Sequence, residues 1–149
     1  MKVLDVNVLV YAFRPDIAEH TIVKAWLEAL LQSSRPFGVP DIAFSGFVRI
    51  VTRKPFDPAS SPSDAWGFVE ALRKHAMCTT LYGSPQHFAD FRALCERIGA
   101  MGNLLTDAYV AAFALIADGE VVSCDDDFAS FPGLSWRSPL NDQLRTNPR

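Results

Sequence analysis

The chain has 149 residues, of which 49% are hydrophobic and 21% are charged, and its formal net charge is −3. These values are typical of a folded domain and exclude a disordered chain, a collagen-like repeat and a generally basic nucleic-acid coat. We expect one domain spanning residues 1–149, in which any polyanion would meet a local basic patch or bound cations.

The first half of the chain begins with an apolar run at residues 2–6, which predicts a buried strand. Asp5 stands out within it, because a buried carboxylate needs a partner. Residues 20–32 carry apolar side chains at the i, i+3, i+4 spacing of an amphipathic helix. A short strand at 38–39 leads into a helix after Asp41, and a Pro/Ser-rich exposed loop follows.

The second half contains three predicted helices. Two Ser-Pro pairs predict helices at 62–75 and 85–98, because serine caps a helix and proline fits its first position. The segment 106–119 is apolar on nearly all sides, which predicts a buried helix capped by Thr106 or Asp107. Further strands are predicted at 78–82, 120–124 and 135–137. This alternation of strand and helix is typical of an α/β sandwich with a parallel sheet covered on both faces.

The three cysteines of the chain, Cys78, Cys95 and Cys124, are odd in number and widely spaced. Neither a disulfide framework nor a cysteine metal site is indicated, and we expect reduced thiols. No segment reaches the roughly 18 apolar residues of a membrane span, and the N-terminus does not resemble a signal peptide. We therefore expect no membrane association and a cytoplasmic location.

Acidic and amide side chains gather at the predicted carboxyl ends of strands, where parallel sheets bind ligands. They are Asp5, Asn7, Asp41, Asp125, Asp126 and Asp127, and Asp107 lies at the start of the buried helix. Clustered carboxylates repel one another, and a hard divalent cation such as Mg²⁺ or Mn²⁺ removes this cost through oxygen ligands. Such a metal can activate water and neutralise charge on a phosphate under attack. The pattern therefore predicts a metal site that includes Asp5, and no histidine cluster or cysteine pair favours zinc.

These residues also have simpler structural explanations, which the sequence leaves open. Asp5 could pair with an arginine or cap the next helix, Asp107 could be a plain helix N-cap, and Asn7 could shape a turn. Asp126 is expected to be solvated beside a short helix over residues 127–131.

The residues Arg49 and Arg53 lie four apart after Asp41, with Lys54 beside them. They indicate either an exposed helix face or a contact with phosphate groups. The histidines at 20, 75 and 87 show no ligand spacing, and we expect all three at the surface or partly buried.

With the acids placed, the chain resembles a PIN domain, specifically the VapC toxin ribonucleases of bacterial toxin–antitoxin pairs. The stretches that carry the resemblance are LDVNVLVYAF at 4–13, FSGFVRIVTRKPF at 44–56, GNLLTDAYVAAFA at 102–114 and VVSCDDDFASFPGLSW at 121–136. The resemblance implies a PIN-like three-layer sandwich around a five-stranded parallel sheet. It further implies Mg²⁺-dependent cleavage of single-stranded or looped RNA, a homodimer, and inhibition by a VapB-type antitoxin, and we expect Mn²⁺ to substitute for Mg²⁺.

The family's metal-binding acids carry over onto Asp5, Asp107 and Asp125, with Asp127 two residues further on, and its accompanying polar position falls on Asn7. The second acid of many members has no counterpart, because Gly46 occupies that position in FSGFVR.

Two other functions remain open at this point. An aspartyl-nucleophile phosphatase would phosphorylate Asp5, but that chemistry normally needs an acid where Asn7 stands. A catalytically inactive module that binds RNA or an antitoxin is favoured by the missing second acid. The favoured prediction is an endoribonuclease that hydrolyses RNA through metal-activated water.

Overall fold

The computed structural model describes residues 1–149 and contains one mixed sheet flanked by six α-helices. The strands are β1 Lys2–Leu4, β2 Phe37–Pro40, β3 Cys78–Leu81, β4 Glu120–Val122, β5 Ser135–Arg137 and β6 Leu144–Thr146. The helices are α1 Val6–Phe13, α2 His20–Gln32, α3 Asp41–Val51, α4 Pro62–Arg73, α5 Pro85–Ile98 and α6 Asn103–Ile116, with a 3₁₀ helix at Asp126–Ser130.

The sheet has the strand order β3-β2-β1-β4-β5-β6, and its first five strands are parallel. In the register, Lys2 lies opposite both Phe37 and Glu120, so that β1, β2 and β4 end at the same edge. The expected α/β sandwich is confirmed, but β6 adds a sixth strand that pairs antiparallel with β5. β6 was not predicted, because its three residues form no apolar run.

The sheet is covered by two apolar clusters, one on each face. Leu4 and Val122 pack with α1 to α4 on one face, whereas Val3 and Val121 pack with α5 and α6 on the other. Successive residues of a strand point to opposite faces, so that both faces of β1 and β4 are buried. This arrangement produces the three layers and fixes the central strands on which the candidate site is built.

Several predicted elements are confirmed, including the exact bounds of α2 and α5. The Ser61 and Ser84 hydroxyls cap α4 and α5 by accepting hydrogen bonds from backbone N–H groups. Gly99 ends α5 in the left-handed conformation, with φ of 64°. None of the helices is both long and apolar enough to span a lipid bilayer.

Two boundaries differ from the prediction, and both differences concern the site. The first strand ends at Leu4, since Asp5 caps α1 and starts a helix in a valine-rich segment that favours a strand. The helix α6 begins at Asn103 behind Gly102, so that neither Thr106 nor Asp107 is its cap. The simple N-cap explanation of Asp107 is therefore wrong.

The surface or partly buried location expected for the histidines is wrong for His87, which is only 2% exposed. Its ring stacks on Phe113 with a centroid distance of 3.7 Å, and its Nε2 lies 2.9 Å from the Tyr109 carbonyl oxygen. No local sequence pattern indicates this burial, because it depends on the packing of α5 against α6.

Candidate metal centre

The side chain of Asp5 is 4% exposed at the junction of β1 and α1. Its Oδ1 accepts a hydrogen bond from the Val6 backbone N–H at 2.7 Å, and its Oδ2 accepts one from the Ser123 hydroxyl at 2.8 Å. No arginine pairs with it, so the capping alternative is confirmed and the ion-pair alternative is wrong. Burial nevertheless raises the pKa of Asp5 to about 6, because these hydrogen bonds offset only part of the cost of desolvating the carboxylate.

Ser123 joins the ends of β1 and β4 through three hydrogen bonds. Its hydroxyl donates to Asp5, while its oxygen accepts from Asn7 Nδ2 at 2.9 Å and from the Asp125 backbone N–H at 3.0 Å. Because a hydroxyl has one proton and two lone pairs, these contacts use its full capacity. The orientation of Asp5 relative to the loop after β4 is therefore fixed by one side chain.

Asn7 lies in the first turn of α1, and both ends of its amide are occupied. Its Nδ2 donates to Ser123, and its Oδ1 accepts from the Cys124 backbone N–H at 3.0 Å. It therefore ties α1 to the segment after β4, and the expectation that it ends the first strand is wrong.

Asp107 lies on α6, and its carboxyl group is close enough to the other acids for their charges to affect its pKa. Burial is the main cause that raises its pKa to about 7, and the charges of Asp5, Asp125 and Asp127 raise it further. Asp125 caps the 3₁₀ helix by accepting from the Asp127 backbone N–H at 2.9 Å. These four carboxylates form one electrostatic group, which we call the acidic cluster.

Two further acids lie outside the acidic cluster. Asp126 is exposed, as expected, and forms an ion pair with Arg145 at 3.0 Å. Asp41 begins α3, where its Oδ1 accepts from the Ile42 backbone N–H at 2.9 Å. Burial raises the pKa of Tyr109 and the charge of Asp41 raises it further, whereas Asp41 is not among the charges that raise the pKa of Asp5 or Asp107.

Gly46 faces the first turn of α1. A β-carbon at this position would lie 3.5 Å from Val6 Cγ2, which is an ordinary van der Waals contact. The position expected to carry the second acid is therefore next to the residue that follows Asp5, and it has room for a side chain.

Arg49 and Arg53 are both exposed, and neither forms an ion pair. Only Arg49 lies on α3, because this helix ends at Val51. The expectation that both residues lie on one helix face is therefore wrong for Arg53, which follows the end of α3.

The donor chemistry of the acidic cluster fits a hard divalent cation, because every donor is a carboxylate oxygen. Burial, and then the charges of the other acids, raise the pKa of Asp107, and a bound cation would offset both effects. In this structure no three of these side chains converge on one point, so binding of an ion requires the exposed Asp125 and Asp127 side chains to turn toward Asp5 and Asp107. A cavity of about 490 Å³ lies at the opposite edge of the sheet, lined by Lys2, Glu120 and Arg137 among others, and does not include the cluster.

The model of the PIN domain family matches residues 2–134. The chain belongs to the PIN-domain family. It is 42% identical to VapC ribonuclease Mb2897 of Mycobacterium bovis over 144 residues, covering 96% of this chain and 98% of that protein. It is 38% identical to ribonuclease VapC25 of Mycobacterium tuberculosis over 140 residues, covering 93% and 99% respectively.

The fold of this PIN domain is also similar to solved VapC structures. VapBC2 from Rickettsia felis, bound to a DNA fragment from its promoter, aligns with a TM-score of 0.67 at 16% identity, covering 92% of this chain and 97% of that one. Mycobacterium tuberculosis VapC20, described as a toxin that cleaves the sarcin-ricin loop, aligns with a TM-score of 0.66 at 11% identity, covering 87% and 94%. At these identities the likeness shows the fold alone.

PIN-domain VapC ribonucleases are generally dependent on a divalent metal, which agrees with the oxygen-only chemistry of the acidic cluster. The members of this cluster were predicted from the sequence, but Ser123, the residue that orients Asp5, was not. The only available signal was a serine at the end of an apolar strand, directly before the aspartates.

Proposed function

We propose that this protein is the toxin of a type II toxin–antitoxin system and an endoribonuclease that uses Mg²⁺ held by Asp5, Asp107 and Asp125, with Asp127 as a further ligand. The observation that carries the proposal is the acidic cluster, in which Asp5 and Asp107 both have raised pKa values close to neutral pH. A bound divalent cation supplies the activation of water and the neutralisation of phosphate charge that hydrolysis requires.

The residues of the chain have distinct roles in this proposal. Asp5 is held rigidly by Val6 and Ser123, so it presents its carboxylate from a fixed position. Asp107 and Asp125 approach from α6 and from the loop after β4, which keeps the site open to solvent and to an RNA phosphate. Asn7 supports the site by holding Ser123 rather than by transferring a proton.

The contacts of Asn7 argue against the aspartyl-nucleophile phosphatase. That mechanism needs an acid two residues after the nucleophile, whereas Asn7 carries an amide that cannot transfer the proton and that is hydrogen-bonded to Ser123 and to Cys124 N–H.

We further propose that the partners are an RNA substrate and a VapB-type antitoxin, that the toxin is a homodimer, and that it acts in the cytoplasm. Solved complexes of structural neighbours, such as VapBC-1 from Haemophilus influenzae, support an antitoxin partner. Arg49 and Arg53 are exposed cations without ion-pair partners and are suited to contact the RNA backbone.

The experiment that tests this function is cleavage of total RNA by the purified chain, with Asp5→Asn as the matched control. Cleavage should stop in EDTA and return with Mg²⁺ or Mn²⁺, whereas Zn²⁺ should substitute poorly for an all-oxygen site. Cleavage that persists in EDTA would contradict the metal-dependent mechanism. Turnover of a phosphomonoester would instead indicate the phosphatase, and binding without cleavage would indicate the inactive module.

A further inference from the structure

Three aromatic side chains on α5 and α6 form a continuous row that ends at the protein surface. The rings of Phe88 and Phe91 have a centroid distance of 5.8 Å, and those of Phe91 and Tyr109 a distance of 5.4 Å, both with edge-to-face geometry. Phe88, at the outer end, is 62% exposed. We call Phe88, Phe91 and Tyr109 the aromatic strip.

The inner end of the strip lies at the sheet edge that carries the candidate metal centre. Tyr109 lies on α6 two residues after Asp107, and its hydroxyl oxygen lies against Gly83, which follows β3. Because β3 pairs in parallel with β2, and β2 with β1, Gly83 lies at the edge where all three strands end. Asp41 follows β2, the strand next to β1, and Asp5 follows β1. The strip therefore begins at the sheet edge that carries the acidic cluster and extends outward across α5.

The position of Tyr109 is fixed by its neighbours. A β-carbon at Gly83 would lie 2.6 Å from the Tyr109 hydroxyl oxygen, so this close approach requires glycine. His87 packs edge-on against the Tyr109 ring at 4.4 Å, and its Nε2–H donates to the Tyr109 carbonyl oxygen at 2.9 Å. The strip is thus held in place before any ligand binds.

The surface around Phe88 also offers a cation. Arg92 lies four residues after Phe88 on α5, on the same face of the helix, and it is exposed with Glu96 as its ion-pair partner. A ring that can stack and a nearby guanidinium are the two features that single-stranded nucleic acids require of a surface.

We propose that the aromatic strip stacks unpaired bases of the RNA next to the bond that is cut. This inference rests on the proposed endoribonuclease function and adds to it a residue, Phe88, that favours single-stranded substrate. Bases in a duplex are already stacked on their neighbours and present no free face to the ring, whereas every unpaired base does. We commit to RNA as the occupant because the strip begins at the sheet edge that carries the acidic cluster and has an arginine, Arg92, beside its outer end.

The test measures binding of a short unpaired RNA of mixed sequence and of its duplex, with Asp107→Asn present in every arm to prevent cutting. Phe88→Ala and Phe88→Leu should each weaken binding of the unpaired RNA by about fivefold or more, since stacking on an aromatic side chain contributes roughly that much per base. Phe88→Trp should retain binding, and duplex binding should change little. Ile116→Ala is the matched control, because Ile116 is 51% exposed on the last turn of α6.

The leucine variant separates stacking from apolar contact. If the Phe88→Leu variant binds unpaired RNA as tightly as the protein that retains Phe88, the stacking proposal is overturned. A change of oligomeric state in Phe88→Ala, measured by light scattering, would overturn it in favour of a second copy of the chain on this surface. Cleavage by the unmodified chain is assayed separately. A protein that binds unpaired RNA through Phe88 but does not cut it would contradict the proposed function, while the role of the aromatic strip in binding would stand.

Discussion

The hydroxyl of Ser123 donates to Asp5 Oδ2 at 2.8 Å and thereby links the ends of two neighbouring parallel strands. Its two lone pairs are taken by Asn7 and by the Asp125 backbone N–H, so the proton can point only toward Asp5. This hydrogen bond favours the charged form of Asp5, because it is among the interactions that lower its pKa against the effect of burial.

Replacing Ser123 with alanine should lower activity by about 10- to 100-fold, the range typical of residues that orient a metal ligand. The loss follows because Asp5 becomes both harder to ionise and less well oriented. The concentration of Mg²⁺ needed for half-maximal cleavage should rise, which a Mg²⁺ titration measures. Ser135→Ala, on β5 and outside the site, is the control, and an equal effect of both variants would refute the specific role of Ser123.

Asp5→Asn and Asp107→Asn should each reduce RNA cleavage to background, because each removes a proposed ligand. Both variants should stay folded, and in the absence of metal they should be as stable as the unmodified chain or more so, since one charge leaves the acidic cluster. A gel-based cleavage assay checks the loss of activity, and thermal melting in EDTA checks the stability of the metal-free variants. Cleavage at the unmodified level in either variant would exclude that residue from the site.

The stability of the metal-free protein should fall as the pH rises from about 4 to about 7. The pKa of Asp5 and of Asp107 rises from 3.8 to about 6 and about 7 on folding, so the folded chain holds these protons more tightly than the unfolded chain. Deprotonation therefore costs stability between the unfolded and folded pKa values, and no further change follows above them.

Thermal melts in EDTA should show that the melting temperature of Asp107→Asn increases relative to that of the unmodified chain as the pH rises. Near pH 4 the two melting temperatures should differ little. Asp126→Asn, which changes an exposed acid outside the acidic cluster, should not reproduce this pattern. A stability difference that is the same at every pH would contradict the raised pKa of Asp107.

The double variant Arg49→Ala, Arg53→Ala should weaken RNA binding and flatten its dependence on salt. Each lost contact with a single-strand phosphate should reduce the slope of log affinity against log salt by about 0.7. Both side chains are exposed and unpaired, so folding should be unaffected. Binding measured at several salt concentrations gives the slope, and an unchanged slope would mean that these arginines form only a solvated face.

Restoring an acid with Gly46→Glu should lower the Mg²⁺ concentration for half-maximal activity. The position faces the first turn of α1 and can accept a side chain, since an added β-carbon would contact only Val6, at 3.5 Å. Gly46→Ala is the matched control and should stabilise α3 by about 1 kcal/mol without changing the Mg²⁺ requirement. If the two variants give the same Mg²⁺ titration, Gly46 does not face the metal.

The sequence alone was enough to predict the layered α/β fold, several helix boundaries and the acids of the candidate site. Ser84 and Gly99 predicted both ends of α5, because capping depends on residues that are adjacent in the chain. Asp5 was conspicuous for a similar reason, since a carboxylate in an apolar run is unusual whatever surrounds it.

Only the tertiary structure decided the features that depend on contacts between distant segments. Asp5 ends β1 and starts a helix in a valine-rich stretch because burial of α1 outweighs the local preference for a strand. Ser123 reaches Asp5 across 118 positions of sequence, and Phe91 meets Tyr109 only where α5 packs on α6. Such contacts leave no local signal in the sequence, because the side chains that make them are brought together by the order of the strands and the packing of the helices.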